Sequence, residues 1–188
     1  DWSSDVCSSD LAFATVIEEY GTERWLRAHG NSSDIDRYRQ RLRRGSDFSA
    51  LIAAQQARLR EIYARPADAE EKRAAKRAAF DALLAYYAEL KSCWGGNADY
   101  DAWFAQPLNN AALAAVATYM RWVPILRSRL DARGLDEFYA DAAGLSDLGN
   151  DERAAQLGDW AAASISASEI WSATLSGCPS DTLSEVNK

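Results

Sequence analysis

The sequence is poor in the side chains that most often bind metals or form disulfide frameworks. Its 188 residues include one histidine, His29, and three cysteines with no CxxC or metal-type spacing. A single histidine at the predicted end of a helix is typical of an electrostatic cap rather than a metal ligand. Cys93 and Cys178 either pair in a disulfide or remain free thiols. The composition therefore argues against a cysteine- or histidine-rich metal cluster.

Long apolar runs and concentrated positive charge are also missing. No apolar stretch approaches the roughly 20 residues that a membrane-spanning helix needs. The net charge is −7, with acidic and basic residues interspersed, whereas a nucleic-acid surface needs a concentrated basic face. The densest basic run, residues 37–44, carries apolar residues at helical spacing, which favours a solvated helix face. We therefore expect neither a transmembrane segment nor a nucleic-acid partner.

The first eleven residues do not resemble native protein. Residues 1–11 read D-W-S-S-D-V-C-S-S-D-L, which is the translation of a common sequencing-adapter tail. The alternative is a polar, disordered terminus. Because a segment of foreign origin carries no information about the fold, we expect native sequence to begin near Ala12. The predicted organisation is then a helical domain over residues 12–163, followed by a weakly ordered, Ser/Thr-rich tail over residues 164–188.

Helical periodicity dominates the rest of the chain, and strand-like alternation is absent. A first helix is predicted over residues 12–28, with one apolar stripe formed by Phe13, Val16, Ile17, Tyr20 and Trp25. The spacing next predicts helices over residues 35–64, with a break near Gly45, and over residues 69–91. Pro66 and Asp68 end one helix and begin the next. The sequence therefore predicts an all-α fold containing a long antiparallel αα-hairpin.

Shorter helices are predicted to follow the hairpin. Asn109 or Asn110 can cap a helix that continues to Trp122. Pro124 then favours a new helix start, and Gly134 its end. Two further short helices are predicted after Leu135-Asp136 and after Asn150-Asp151.

Three segments carry a resemblance to a known family. They are F-A-T-V-I-E-E-Y-G-x-x-R-W-L at residues 13–26, Y-D-x-W-F at residues 100–104 and L-N-N-A-x-L-A-x-V-A-T-Y at residues 108–119. In this order they resemble the bacterial predicted aminopeptidases, a gluzincin-like group of zinc metallopeptidases. The resemblance covers about residues 12–157. It implies a zincin-like peptidase with a peptide substrate and a periplasmic or envelope location.

The resemblance also implies where the zinc ligands belong. Family members carry an H-E-L-A-H-Q helix, in which two histidines bind zinc and the glutamate acts as general base. A later N-E-[SA]-F-A-T segment supplies the third ligand. Aligned with this chain, the third ligand falls at position 11, which is Leu11. We therefore expect the intact parent to use zinc, and this chain to bind no catalytic zinc and to hydrolyse nothing.

Two adjacent glutamates on the first helix are candidates for supporting contacts. Glu18 lies seven residues after position 11, so two helical turns place both on one face. It is predicted either to orient a ligand or a neighbouring arginine, or to be a surface or helix-packing carboxylate. Glu19 is predicted to be solvated.

Further candidate residues lie in the other two motifs. Asn109 and Asn110 fit either a helix cap or hydrogen bonds to a substrate backbone. Tyr119 fits either a donor to a developing oxyanion or a buried tyrosine with one bonded hydroxyl. The aromatic residues Tyr100, Trp103 and Phe104 fit a cleft wall, although core packing is favoured.

Two classes of function follow. The first is a fragment of a zinc-dependent aminopeptidase, inactive by itself. The second is a non-catalytic helical module that binds a partner through its αα-hairpin. If the chain is truncated, the apolar face of the helix over residues 12–26 should be uncovered and should promote self-association.

Overall fold

The structure is a computed structural model that describes the backbone of residues 4–162, with the side chains of residues 9–117 and 120–161. The described backbone contains helices and no strand, which confirms the all-α prediction. None of the described helices has the length and apolarity needed to cross a membrane. The helices are α1 (Ser4–His29), α2 (Ser32–Ala64), α3 (Ala69–Cys93), α4 (Asp101–Phe104), α5 (Asn110–Met120), α6 (Val123–Arg133), α7 (Leu135–Ser146) and α8 (Asn150–Ala162).

The chain divides into two compact units. Within the described residues, the first unit comprises residues 4–46 and 115–162, and the second comprises residues 47–114. The boundaries between them fall inside α2 and α5. The predicted tail at residues 164–188 lies outside the described residues.

In the first unit, α1 packs against α6 and α8, and α7 packs against α6 and α8. Val16 is buried here because these later helices cover it, and Phe13, Ile17 and Tyr20 pack partly buried against the same core. Ala12 and Val16 are almost fully inaccessible, so the apolar face expected to be uncovered in a truncated chain is covered by these helices. The buried core consists of Ala12, Val16, Trp122, Val123, Leu126, Leu130, Phe138, Leu145 and Leu157.

Helix α1 differs from its prediction at both ends. It begins at Ser4, well before Ala12, and Ser9 is buried. The adapter origin of residues 1–11 concerns the source of the sequence and stays a prediction. Near the other end, Trp25 is 59% exposed, so its predicted place in the buried stripe is wrong. Trp25 instead stacks on His29, with 5.2 Å between the ring centroids.

The joint between α6 and α7 is a single residue. Gly134 follows the last residue of α6 and precedes the first residue of α7, and its φ of 81° lies in the left-handed region. Glycine populates that region without a steric penalty. The predicted stop at Gly134 is confirmed, and it sets the direction in which α7 leaves α6.

The second unit contains the predicted αα-hairpin. Asp68 accepts hydrogen bonds from the backbone N–H groups of Glu70 and Glu71, and the Glu71 side chain accepts one from the Asp68 N–H. At one end of the hairpin, Lys72 Nζ donates to the Tyr63 carbonyl at 3.0 Å. At the other end, Trp94 Nε1 donates to Asp47 Oδ2 at 2.9 Å. These two contacts confirm that α3 runs antiparallel to the adjoining half of α2.

Several details of the hairpin differ from the sequence prediction. Helix α2 runs without interruption through Gly45. The helical period places Tyr63 and Leu84 on buried faces, but both are substantially exposed. Both side chains lie at the edge of an apolar stripe, where periodicity cannot separate a buried position from a half-covered one. Cys93, the last residue of α3, is disulfide-bonded, and Cys178 lies outside the described residues.

Candidate functional site

The two adjacent glutamates on α1 have opposite environments. Glu18 is exposed, whereas Glu19 is only 17% exposed and forms an ion pair with Arg127 of α6. Arg127 Nε donates to Glu19 Oε2 at 3.1 Å, and Arg127 Nη2 donates to the same oxygen. The prediction that Glu19 is solvated is therefore wrong. A step of one residue rotates a helix by about 100°, which turns Glu19 toward α6.

A second set of polar contacts joins α1 to the first half of α2. Arg39 of α2 donates to Glu23 Oε1 through Nε at 2.9 Å and through Nη2 at 2.6 Å, and Arg27 donates to the same oxygen at 2.8 Å. The hydrogen bond from Arg39, helped by Arg27, holds the pKa of the Glu23 carboxyl below its usual value. Tyr38 donates its hydroxyl to the Glu19 carbonyl at 3.4 Å. The polar residues of α1 are thus used to hold helices together.

The described residues do not form the zinc site that the resemblance implies. Leu11, at the position of the predicted third ligand, is an aliphatic side chain that is 41% exposed. His29 is the single histidine of the sequence, whereas an H-E-x-x-H motif requires two. Its Nδ1 lies 3.1 Å from the Trp25 carbonyl oxygen. Within residues 4–162, no group of three or more His, Cys, Asp or Glu residues could hold a metal ion.

The two asparagines of the third motif have different contacts. Asn109 accepts a hydrogen bond at Oδ1 from the Ala112 N–H at 3.0 Å, which is the contact of an N-cap residue. Asn110 instead donates through Nδ2 to the Tyr63 hydroxyl at 3.3 Å. Asn109 is therefore the helix cap, while the amide of Asn110 joins α5 to α2. Tyr119 belongs to α5, but its side chain is outside the described residues.

The Asn110–Tyr63 contact lies at an open pocket of about 210 Å³. Its floor contains the buried residues Leu59 and Leu113. Gln56 holds the start of α5 in place, because its Nε2 donates to the Leu113 carbonyl at 2.9 Å. The complete lining is Gln56, Leu59, Arg60, Tyr63, Asn110 and Leu113.

Charge around the pocket is positive. Arg60 is exposed and lines the pocket. The hydrogen bond from Asn110, with further help from the hydrogen bond and charge of Lys76, holds the pKa of the Tyr63 hydroxyl below its usual value. Sequence reasoning missed this pocket, although positions 56, 59, 60 and 63 share one face of a helix through their i, i+3, i+4 and i+7 spacing.

The aromatic residues of the second motif pack together in the second unit. Tyr100 stacks on Phe48 with ring centroids 4.1 Å apart, and Phe104 stacks on Tyr87 at 3.8 Å. Trp103 meets Phe48 edge to face at 5.1 Å. These contacts agree with the favoured interpretation of core packing.

A polar group lies at the edge of these rings. Tyr87 donates its hydroxyl to Asp101 Oδ1 at 2.5 Å, and Lys91 Nζ donates to Asp101 Oδ2 at 2.6 Å. The Lys91 and Tyr87 hydrogen bonds lower the pKa of Asp101. Burial, followed by the hydrogen bond to Asp101, raises the pKa of Tyr87. Asp101 is therefore held as an anion that fastens α4 to α3.

Comparison with known proteins gives one family. The model of the family described as "Putative aminopeptidase" matches residues 4–157, so the match includes α1 through most of α8. No curated protein and no solved structure matches the chain significantly. Since the family model covers most of the chain, this protein belongs to that aminopeptidase family.

Proposed function

We propose that this chain is the helical portion of a zinc-dependent aminopeptidase and that it does not itself hold the metal. The observation that carries the proposal is the family match over residues 4–157. The sequence has a single histidine, whereas an H-E-x-x-H helix needs two histidines. This supports the proposal that the chain does not itself hold the metal. When bound in the intact parent, zinc would activate water for attack on a peptide carbonyl. Its ligands would come from sequence outside this chain.

The residues of this chain have a supporting role in the proposal. The Glu19–Arg127 ion pair fixes the rotation of α1 against α6. The ion pair between Arg39 and Glu23 likewise holds α2 against α1. When the chain is aligned with the family that it resembles, the position of the third zinc ligand is Leu11, which also lies on α1. Rigid helix packing of this kind is what keeps a ligand-bearing helix in a constant orientation.

The first experiment is to re-sequence the source DNA across the junction before codon 12. Reading through to N-E-A-F with an upstream H-E-x-x-H in frame supports the proposal. If native DNA encodes residues 1–11 as given, Leu11 replaces the ligand, and the non-catalytic helical module becomes the better account.

The second experiment compares two proteins, the present chain and the chain extended upstream by the recovered sequence. Each is assayed for zinc content and for release of the N-terminal residue from a panel of short peptides. We expect zinc and activity in the extended protein only. Equal activity in both would contradict the proposed absence of a metal site in this chain. Fractionation of the source cells would test the envelope location that we also propose.

A further inference from the structure

The pocket between α2 and the start of α5 combines an apolar floor with polar groups at its edge. Leu59 and Leu113 are almost fully buried, and both line the pocket. Tyr63 is 45% exposed, and its aromatic ring stands beside this floor. A volume of about 210 Å³ is enough for one aliphatic side chain but too small for a drug-sized ligand.

Two hydrogen-bond donors at the pocket have capacity left for a ligand. The Tyr63 oxygen accepts from Asn110, so the Tyr63 O–H proton can be donated elsewhere. Arg60 forms no ion pair with any described side chain, and its five guanidinium N–H groups suit a carboxylate. The six lining residues include no acidic side chain. These features select an anion, and the planar fork of arginine favours a carboxylate.

Hydrogen-bond acceptors in the pocket indicate that the ligand also carries an N–H group. Gln56 uses its amide nitrogen for the Leu113 carbonyl, and Asn110 uses its amide nitrogen for Tyr63. Each side chain therefore retains an amide oxygen that can accept from an N–H group. A simple aliphatic acid has no N–H group to donate, whereas the last residue of a peptide carries one beside its carboxylate.

We infer that this pocket binds the C-terminal residue of a short peptide that ends in an aliphatic side chain. The side chain lies on Leu59 and Leu113, and the terminal carboxylate contacts Arg60 and the Tyr63 hydroxyl. The amide N–H of the same residue donates to the oxygen of Gln56 or Asn110. The choice of a peptide rests on the proposed peptidase function, but binding is measured here without catalysis. Failure of binding therefore leaves the hydrolysis experiments unaffected.

The first test titrates the full chain with three small probes and follows amide chemical shifts by NMR. The probes are N-acetyl-leucine, N-acetyl-leucinamide and hexanoate. A ligand of this size is expected to bind with a Kd of about 1 mM. The amide lacks the carboxylate and hexanoate lacks the N–H, so each should bind roughly tenfold more weakly. Equal binding of either analogue, or no binding of N-acetyl-leucine in the millimolar range, overturns the proposal.

The second test uses matched variants with the same probe. Arg60→Gln should weaken N-acetyl-leucine binding roughly tenfold, because it removes the charged donor. Arg58→Gln is the control, since Arg58 is an exposed arginine of the same helix that does not line the pocket. Tyr63→Phe should weaken binding roughly threefold to tenfold, and Tyr139→Phe should not. An equal loss in Arg58→Gln would show a general charge effect and overturn the assignment.

Discussion

The two units of the chain bury their helices with different kinds of side chain. The first unit surrounds Phe138 and Trp122 with aliphatic side chains and places ion pairs at the edge of that core, as in Glu19–Arg127. The second unit stacks aromatic rings and ties their polar tips to a carboxylate, as in Tyr87–Asp101. The position of the predicted metal ligand lies in the first unit, whereas the described pocket lies in the second. The two candidate sites therefore lie in different units of the chain.

The largest expected effect is a loss of stability, and it tests whether removing a large side chain destabilises the core of the first unit more than the aromatic cluster of the second. Phe138 is 1% exposed and stacks on Phe13 at 4.7 Å. Phe138→Ala should lower the free energy of unfolding by about 4–5 kcal/mol, and Phe104→Ala by about 3 kcal/mol. The difference arises because Phe104 belongs to a four-residue helix that can move to fill the space. Urea unfolding measures both values.

The control for this pair is Tyr139→Ala, because Tyr139 is next to Phe138 on α7 but is 48% exposed and meets the Phe13 ring only edge to face. It should change stability by less than about 1 kcal/mol. A larger loss from Phe104→Ala than from Phe138→Ala would reverse the ranking of the two cores.

The next effect concerns the ion pair of the first unit. Glu19→Gln removes the anion that faces Arg127 and leaves a half-buried guanidinium with a weaker partner. The expected cost is about 1–2 kcal/mol in the free energy of unfolding. Glu18→Gln, one position earlier and exposed, should cost less than about 0.5 kcal/mol. Equal values for the two variants would mean that Glu19 and Arg127 do not form the pair described.

A smaller effect is expected at the turn of the hairpin in the second unit. Asp68→Ala removes the side-chain acceptor for two backbone N–H groups at the start of α3. The loss should be about 1 kcal/mol, measured by thermal or urea unfolding. Asp68→Asn retains an acceptor oxygen and should therefore keep most of the stability that Asp68→Ala loses. If Asn is as destabilising as Ala, charge rather than capping explains the contribution.

The smallest effect is a pH dependence confined to the second unit. The pKa of Asp101 is lowered from 3.8 in the folded chain, so the folded state favours the anion. Its contribution to stability is present above the unfolded pKa and is lost as the pH falls through the folded pKa. The stability difference between the wild type and Asp101→Asn should therefore be constant near neutral pH and shrink below about pH 4. A difference that grows on acidification would contradict this sign.

Most of the helices could be predicted because their ends carry strong local signals. Asp68 with Glu71, Asn109 and Gly134 each mark an end by their own hydrogen-bonding or backbone properties. The buried positions Val16, Leu59 and Leu83 follow from the 3.6-residue period. These features depend on neighbours in the sequence, which is why sequence reasoning located them.

Other features depend on partners that are distant in the sequence. Which of Glu18 and Glu19 meets an arginine is decided by the placement of α6, more than a hundred residues later. The exposure of Trp25 depends on how far α6 and α8 extend along α1. The pocket required knowing that the start of α5 contacts residues 56–63. Periodicity gives the face of a helix but cannot identify the element that will cover it.

The single-residue joint at Gly134 has a consequence for changes in chain length. Adding one residue there would change the direction and the rotation of α7 relative to α6, which would carry Phe138 away from Phe13. The turn between α2 and α3 and the segment between α3 and α4 each contain several exposed residues, so they can absorb insertions at low cost. Homologous chains of different length should therefore vary at those two connections and keep the α6–α7 spacing constant.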